Sequence, residues 1–212
     1  MQSIQKNNEI FSLLRRESDK ASKWMASEWG EPKILQGYGE RNTSRMAQAP
    51  KKSTTFIDGG TELALSEGIE NHKSNYSEKK LAKIQVTFKN KELEKVLIEK
   101  GKNTKKTWDS IADYNGSVQH LDFLSDHEKD VFKTASEVSQ ADVIKLAAQR
   151  QKYIDMGQSV NIMIHPDTPA KEVIKLHLMA FDEGLKSLYY QYSINSAQKF
   201  SQELLNCTVC EG

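Results

Sequence analysis

Between Val160 and Tyr190 the chain spells a strand, a helix and a second strand, and that order restricts the fold more than anything else in its 212 residues. Val160-Asn161-Ile162-Met163-Ile164 alternates as a strand does. Thr168 reads as the cap of the following helix, Pro169 occupies its first turn, Val173, Leu176 and Ala180 share its inward face, and Gly184 ends it. Leu188-Tyr189-Tyr190 is extended again. If the two strands pair in parallel, the helix between them must make a right-handed crossover, so the expected architecture is α/β. Parallel strands are buried on both faces, and two or three of them are too few to close a sheet or barrel. Further strands are therefore expected from another polypeptide. Composition agrees with a thin core: 37% of residues are apolar, and with tyrosine taken out and glycine counted in the share stays below the ~45–50% usual for globular chains.

Upstream, Ile10, Leu14, Ala21, Trp24, Met25 and Ala26 fall at mostly helical spacing, which predicts an opening helix over about 9–31, stopped by Gly30 and Pro32. From Gln36 to Gly60 the residues turn to Gly, Ser, Thr, Lys and Arg, ending in the strand-like Thr54-Thr55-Phe56-Ile57, and polar sequence continues to about Glu78; most of this reads as loop. A charged helix is expected over about 90–100 with Gly101 behind it, and a short one over about 108–113 behind Thr107. Ser125-x-x-Glu128 and Ser139-x-x-Asp142 are capping boxes, in which hydroxyl and carboxylate each satisfy an orphan backbone donor. They open helices expected over about 126–137 and 140–156. In the second of these Val143, Leu146, Ala147 and Ile154 lie on one face, and Gly157 is a left-handed stop.

Thirty basic against 29 acidic residues leave a net charge of +1, so no global field recruits nucleic acid or an acidic membrane, and any anion site must be local. No run approaches a membrane span or a secretory signal, which predicts a cytoplasmic protein with no membrane partner. There, thiols stay reduced. Cys207 and Cys210, the only cysteines, stand as C-T-V-C near the C-terminus. That spacing suits thiol–disulfide exchange, because the second sulfur closes on the mixed disulfide formed by the first. Half of a zinc site is the competing reading, but the five histidines are scattered without ligand spacing, and an incidental mobile pair is the third. Tyr189-Tyr190 is either half-buried strand packing or two phenols that pass an electron and a proton. Pro50, Lys51, Lys52, Ser53 and Thr54 offer hydroxyls, backbone donors and charge that can cradle a phosphate, or else form a solvated basic loop. No Walker-type or dinucleotide glycine pattern is present.

In this order these features resemble the C-terminal part of the large, catalytic subunit of class I ribonucleoside-diphosphate reductase, in the form encoded by large tailed phages. The segments that carry the resemblance are Gly37-Tyr38-Gly39-Glu40-Arg41-Asn42-Thr43, Ala49-Pro50-Lys51-Lys52-Ser53-Thr54-Thr55, Ser66-Glu67-Gly68-Ile69-Glu70, Gly116-Ser117-Val118-Gln119-His120, Ala148-Gln149-Arg150-Gln151-Lys152, Leu188-Tyr189-Tyr190-Gln191 and Cys207-x-x-Cys210. The implied fold is the C-terminal portion of a ten-stranded α/β barrel, helix-rich, with a leader over 1–8, barrel sequence over 9–192 and a flexible redox tail over 193–212.

The resemblance also implies roles. Pro50, Lys51, Lys52, Ser53 and Thr54 form the turn that binds the substrate diphosphate, Tyr189 and Tyr190 relay the radical, and Cys207 and Cys210 reduce the active-site disulfide after each turnover. No cofactor or metal is expected on this chain itself. Its partners would be a ribonucleoside diphosphate, thioredoxin or glutaredoxin as reductant, and a small subunit holding a di-iron tyrosyl radical. The family's thiyl-radical cysteine and its reducible pair would precede residue 9, yet no cysteine precedes Cys207. The resemblance therefore implies a naturally split gene, or an excised C-terminal piece, completed by an N-terminal large-subunit chain. A non-catalytic interaction module, a degenerate barrel remnant that binds a partner chain, is the alternative. Lys51 departs from the small hydroxyl residue common in the family, and Asn71 from its proline.

Overall fold

Helix α1 (Gln2–Trp29) opens the chain, beginning seven residues before the predicted start. Its first turns are held by tertiary contacts that hydrophobic spacing does not report: the buried Asn7 amide donates to Leu146 O at 3.0 Å and to Gln149 Oε1 at 2.8 Å. The computed structural model describes residues 2–49, 72–75, 86–114 and 116–193, and the chain divides into two compact units.

The first unit comprises residues 1–50, 140–162 and 168–191. Its helices are α1, α5 (Gln140–Gln151) and α6 (Ala170–Asp182), with α5 packed against both of the others. α6 presents Val173 and Leu176, partly buried, and Ala180, fully buried, on its inward face, as its spacing predicts, and Gly184 terminates it at a left-handed φ of 79°. Pro169 itself, not Thr168, holds the cap position and makes no side-chain cap bond. Proline has no N–H to satisfy at a helix start, so the position costs little.

Extended segments run beside these helices. Gln48 pairs in parallel with Gln158, with Ser159 N donating to Gln48 O at 2.9 Å and Met156 N to Met46 O at 3.1 Å. On the other side, Tyr189 N donates to Val160 O at 2.9 Å and Ile162 N to Tyr190 O at 3.0 Å. The bonded positions rise together along both segments, so this pairing is also parallel. It leads into β3 (Ile162–Met163) and β4 (Gln191–Tyr192), which form a two-stranded sheet. Strand, helix, parallel strand is the order expected from the sequence. Residues 158–162 thus lie between 46–48 and 187–190, and Val160, Asn161 and Ile162 are buried.

Gly157 differs from its predicted role. α5 ends at Gln151, and Gly157 is not in the left-handed region. It is required by space instead: a Cβ there would lie 2.6 Å from Ser187 Oγ, and that hydroxyl donates to Gln158 O at 2.8 Å while accepting from Gln158 N at 3.1 Å. Gly157→Ala is expected to cost about 1–3 kcal/mol of stability, the usual range for overpacking. Adding Ser187→Ala should recover part of the loss. Denaturant melts of both variants check this; an unchanged midpoint for Gly157→Ala would refute the crowding.

The second unit comprises residues 51–139, 163–167 and 192–212. Strands β1 (His72–Asn75) and β2 (Val86–Lys89) pair antiparallel, His72 opposite Lys89 and Asn75 opposite Val86. β1 lies in sequence that reads as loop, because His-Lys-Ser-Asn has no apolar alternation and its extended form comes from the ladder. α2 (Lys91–Glu99) is capped by Asn90, whose side chain accepts from Glu92 N and Leu93 N. α3 (Lys105–Asp113) starts earlier than expected because Thr104, not Thr107, is its cap.

The Ser125–Glu128 capping box opens α4 (Asp126–Val131) as predicted, but the helix stops short of 137. Glu137 turns back instead, its carboxylate accepting from Thr134 N at 2.8 Å and Ser117 Oγ at 2.5 Å. Leu93, Leu97, Trp108, Ile111, Val118, Leu121, Leu124 and Phe132 form the core here. Above it, Tyr114 stacks on His120 with centroids 4.0 Å apart. Burial holds the His120 imidazole below its ordinary pKa.

Candidate functional site

Of the residues singled out in the sequence, Tyr189 and Tyr190 lie within the described chain. Pro50, Lys51, Lys52, Ser53 and Thr54, the strand-like 54–57, and Cys207 and Cys210 lie outside it. The two tyrosines sit where the chain pairs with 160–162, immediately before β4. Two backbone bonds, Tyr189 N to Val160 O and Ile162 N to Tyr190 O, and one to a side chain, Tyr190 N to Oδ1 of the buried Asn161 at 3.3 Å, hold them there. Successive side chains on a strand ordinarily point to opposite faces, yet these two rings meet. Their centroids are 4.1 Å apart and the planes are inclined at 55°.

Tyr189 is 49% exposed and Tyr190 56%. About half of each residue is exposed, which fits half-buried strand packing and an open relay alike. The arrangement suits transfer between neighbouring phenols, and each hydroxyl belongs to a ring that touches the other.

The extended segment 45–49, which precedes residues 50–54 in the sequence, is pinned at three points. At its start, Asp155 accepts from Arg45 N at 2.7 Å and Met46 N at 3.3 Å, and pairs with the Arg15 guanidinium. Burial alone would raise the Asp155 carboxyl, but the Arg45 N–H, the Arg15 guanidinium and the Met46 N–H together hold it below its ordinary value. Arg45 is itself paired with Glu40 at 2.6 Å and Asp19 at 3.0 Å. Backbone pairing with 156–159 fixes the middle. At the end, Gln48 Oε1 accepts from Arg150 Nε at 2.8 Å.

Arg150 is the residue that sequence reasoning missed. It is 0% exposed, and burial pushes its guanidinium down to about 10, still charged at neutral pH. The same Nε donates to Gln158 Oε1 at 2.6 Å, the Gln158 amide donates to Ala147 O at 2.9 Å and Gln151 Oε1 at 2.8 Å, and the guanidinium lies 5.8 Å from the Phe11 ring centroid. The signal in the sequence is partial: Arg150 follows the buried Ala147 by three residues, which makes them neighbours on one side of α5. Among the described residues, no group of three or more His, Cys, Asp or Glu is arranged to hold a metal ion, and no helix is long and apolar enough to cross a membrane.

Comparison with known proteins places this geometry in a family. Residues 2–191 match the family described as "Ribonucleotide reductase, barrel domain". The chain is 38% identical over 201 residues to the ribonucleoside-diphosphate reductase large subunit of Invertebrate iridescent virus 6, covering 92% of this chain and 20% of the viral protein. It is 32% identical over 222 residues to the protein of the same name from Invertebrate iridescent virus 3, covering 97% and 34%. Among solved structures, the Actinobacillus ureae class Id ribonucleotide reductase alpha subunit superposes with a TM-score of 0.82 at 50% identity, covering 93% of this chain and 35% of that one. The chain therefore spans a fifth to about a third of the length of these relatives.

Proposed function

The chain belongs to the ribonucleotide reductase large-subunit family and has its barrel-domain fold, and from that premise we propose that it is the C-terminal part of an enzyme that reduces ribonucleoside diphosphates to deoxyribonucleoside diphosphates. The observation that carries this reading is the contact of the Tyr189 and Tyr190 rings at 4.1 Å on a half-exposed strand end. On this reading the pair relays a radical from a small subunit that holds a di-iron tyrosyl radical. Pro50, Lys51, Lys52, Ser53 and Thr54 bind the substrate diphosphate through backbone amides, hydroxyls and lysine charge. Cys207 and Cys210 return the active-site disulfide to thiols and are themselves re-reduced by thioredoxin or glutaredoxin. The rest of the large subunit supplies the thiyl-radical cysteine. The setting is the cytoplasm, that of the host cell for a gene of the tailed-phage type.

The test is complementation. The isolated chain is expected to turn over no ribonucleoside diphosphate, and addition of the remaining large-subunit portion and the small subunit is expected to start turnover. Activity of the chain alone would overturn the division of labour. A complete assembly that binds its partners but makes no product would leave a non-catalytic interaction module.

A further inference from the structure

Two candidate functional strands share one buried cation. Arg150 Nε reaches Gln48 Oε1 at 2.8 Å and Gln158 Oε1 at 2.6 Å, so a single N–H is divided between two acceptors on neighbouring extended segments. Each acceptor lies close in sequence to a residue of the proposed chemistry. Gln48 precedes Pro50 by two positions in the sequence. Gln158 holds Ser187 through both its backbone groups, N to Oγ at 3.1 Å and Oγ to O at 2.8 Å, and Ser187 precedes Tyr189 by two. Gly157 leaves no slack at this join, since even a methyl group would collide with Ser187 Oγ. The Gln158 amide is tied to Ala147 O and Gln151 Oε1 on α5, so neither glutamine can shift without disturbing the guanidinium.

We propose that Arg150 is a positioning residue which, acting through Gln48 and Gln158, sets the register between the strand entering the substrate turn and the strand carrying Tyr189 and Tyr190. The inference rests on the functional reading given above for those residues. A planar guanidinium is suited to this task, because it offers its donors in a fixed plane and stays charged in a desolvated site; burial lowers its pKa only to about 10. Each arm of the clamp then governs a different kinetic quantity. The Gln48 arm acts on substrate binding, and the Ser187 arm acts on radical transfer.

The experiment uses the complete assembly of large and small subunits with a ribonucleoside diphosphate as substrate. Misplacement by about 1 Å can cost up to about 100-fold, and loss of binding shared by ground and transition states appears in KM alone. Gln48→Ala is therefore expected to raise KM about tenfold with kcat within about twofold, and Gln48→Glu, which keeps an acceptor for the guanidinium, to hold KM within about threefold of the parent. Ser187→Ala is expected to leave KM unchanged and slow the transient appearance of a tyrosyl radical on this chain, followed by rapid-freeze electron paramagnetic resonance, by about fivefold or more. Arg150→Met should show both defects.

Should Arg150→Met fail to assemble, Gln48→Ala and Ser187→Ala decide the matter by themselves. An unchanged KM for Gln48→Ala, or KM and radical transfer falling together in both single variants as general loosening would produce, overturns the clamp. A parent assembly without turnover would instead overturn the functional reading, and the clamp with it.

Discussion

Tyr189→Phe or Tyr190→Phe, each placed in the complete enzyme, is expected to stop even the first turnover while substrate binding and assembly persist. Each change removes one oxygen and keeps the ring, so the ring contact at 4.1 Å and the three hydrogen bonds of the backbone that hold the pair, one of them to the Asn161 side chain, are untouched. A pair that only packs would lose at most one hydrogen bond, about 0.5–1.5 kcal/mol, or roughly tenfold in any equilibrium that depends on it. A relay fails completely. Each phenol must give up a proton and an electron and then regain them, and phenylalanine has no O–H to surrender. Single-turnover product formation, read beside a binding measurement for each variant, separates the two roles. Near-normal product from either variant returns that tyrosine to packing.

Cys207→Ser or Cys210→Ser is expected to abolish repeated turnover driven by thioredoxin or glutaredoxin and to leave one pre-reduced turnover nearly intact. In the proposed exchange the two tail thiols become a disulfide as the active-site disulfide becomes two thiols, a balanced two-electron step that proceeds through a mixed disulfide. Serine cannot form that intermediate, so the enzyme stalls after its stored reducing equivalents are spent. The defect falls between cycles and not within the radical step, which distinguishes it from the tyrosine variants. Pre-reduced enzyme mixed with substrate and no external reductant gives the first-turnover yield, and added thioredoxin or glutaredoxin gives the multiple-turnover rate. Equal loss of both would show that the pair is needed within the cycle and would remove the shuttle role.

Structural roles that depend on neighbours within about four positions were mostly legible from the order of amino acids, with the caps at Thr104 and Pro169 each displaced from the residue expected. The Ser125–Glu128 box caps its helix as read, because side chain and backbone donor lie within one turn. Val173, Leu176 and Ala180 face inward because helical periodicity brings them to one side, and Gly184 ends its helix because a left-handed residue suits a C-terminus. The same local rules placed strand, helix and strand before the tyrosines, and the family barrel followed from the succession of motifs.

Only the tertiary structure decided the rest, because the partners are far apart along the chain. Gly157 looked like a helix stop and is instead the floor under Ser187, thirty positions later. α4 ends at Val131, and Glu137 beyond it accepts from Ser117, twenty residues earlier, where another helical turn was expected. Nothing in His-Lys-Ser-Asn announces β1; its ladder to Val86–Lys89 does. Arg150 is one turn from Ala147 on its helix, but the acceptor Gln48 lies 102 residues away, and its side chain meets the buried guanidinium only when the strands assemble. A charge enters a core when fixed dipoles replace its water, and whether they do depends on which strands come together.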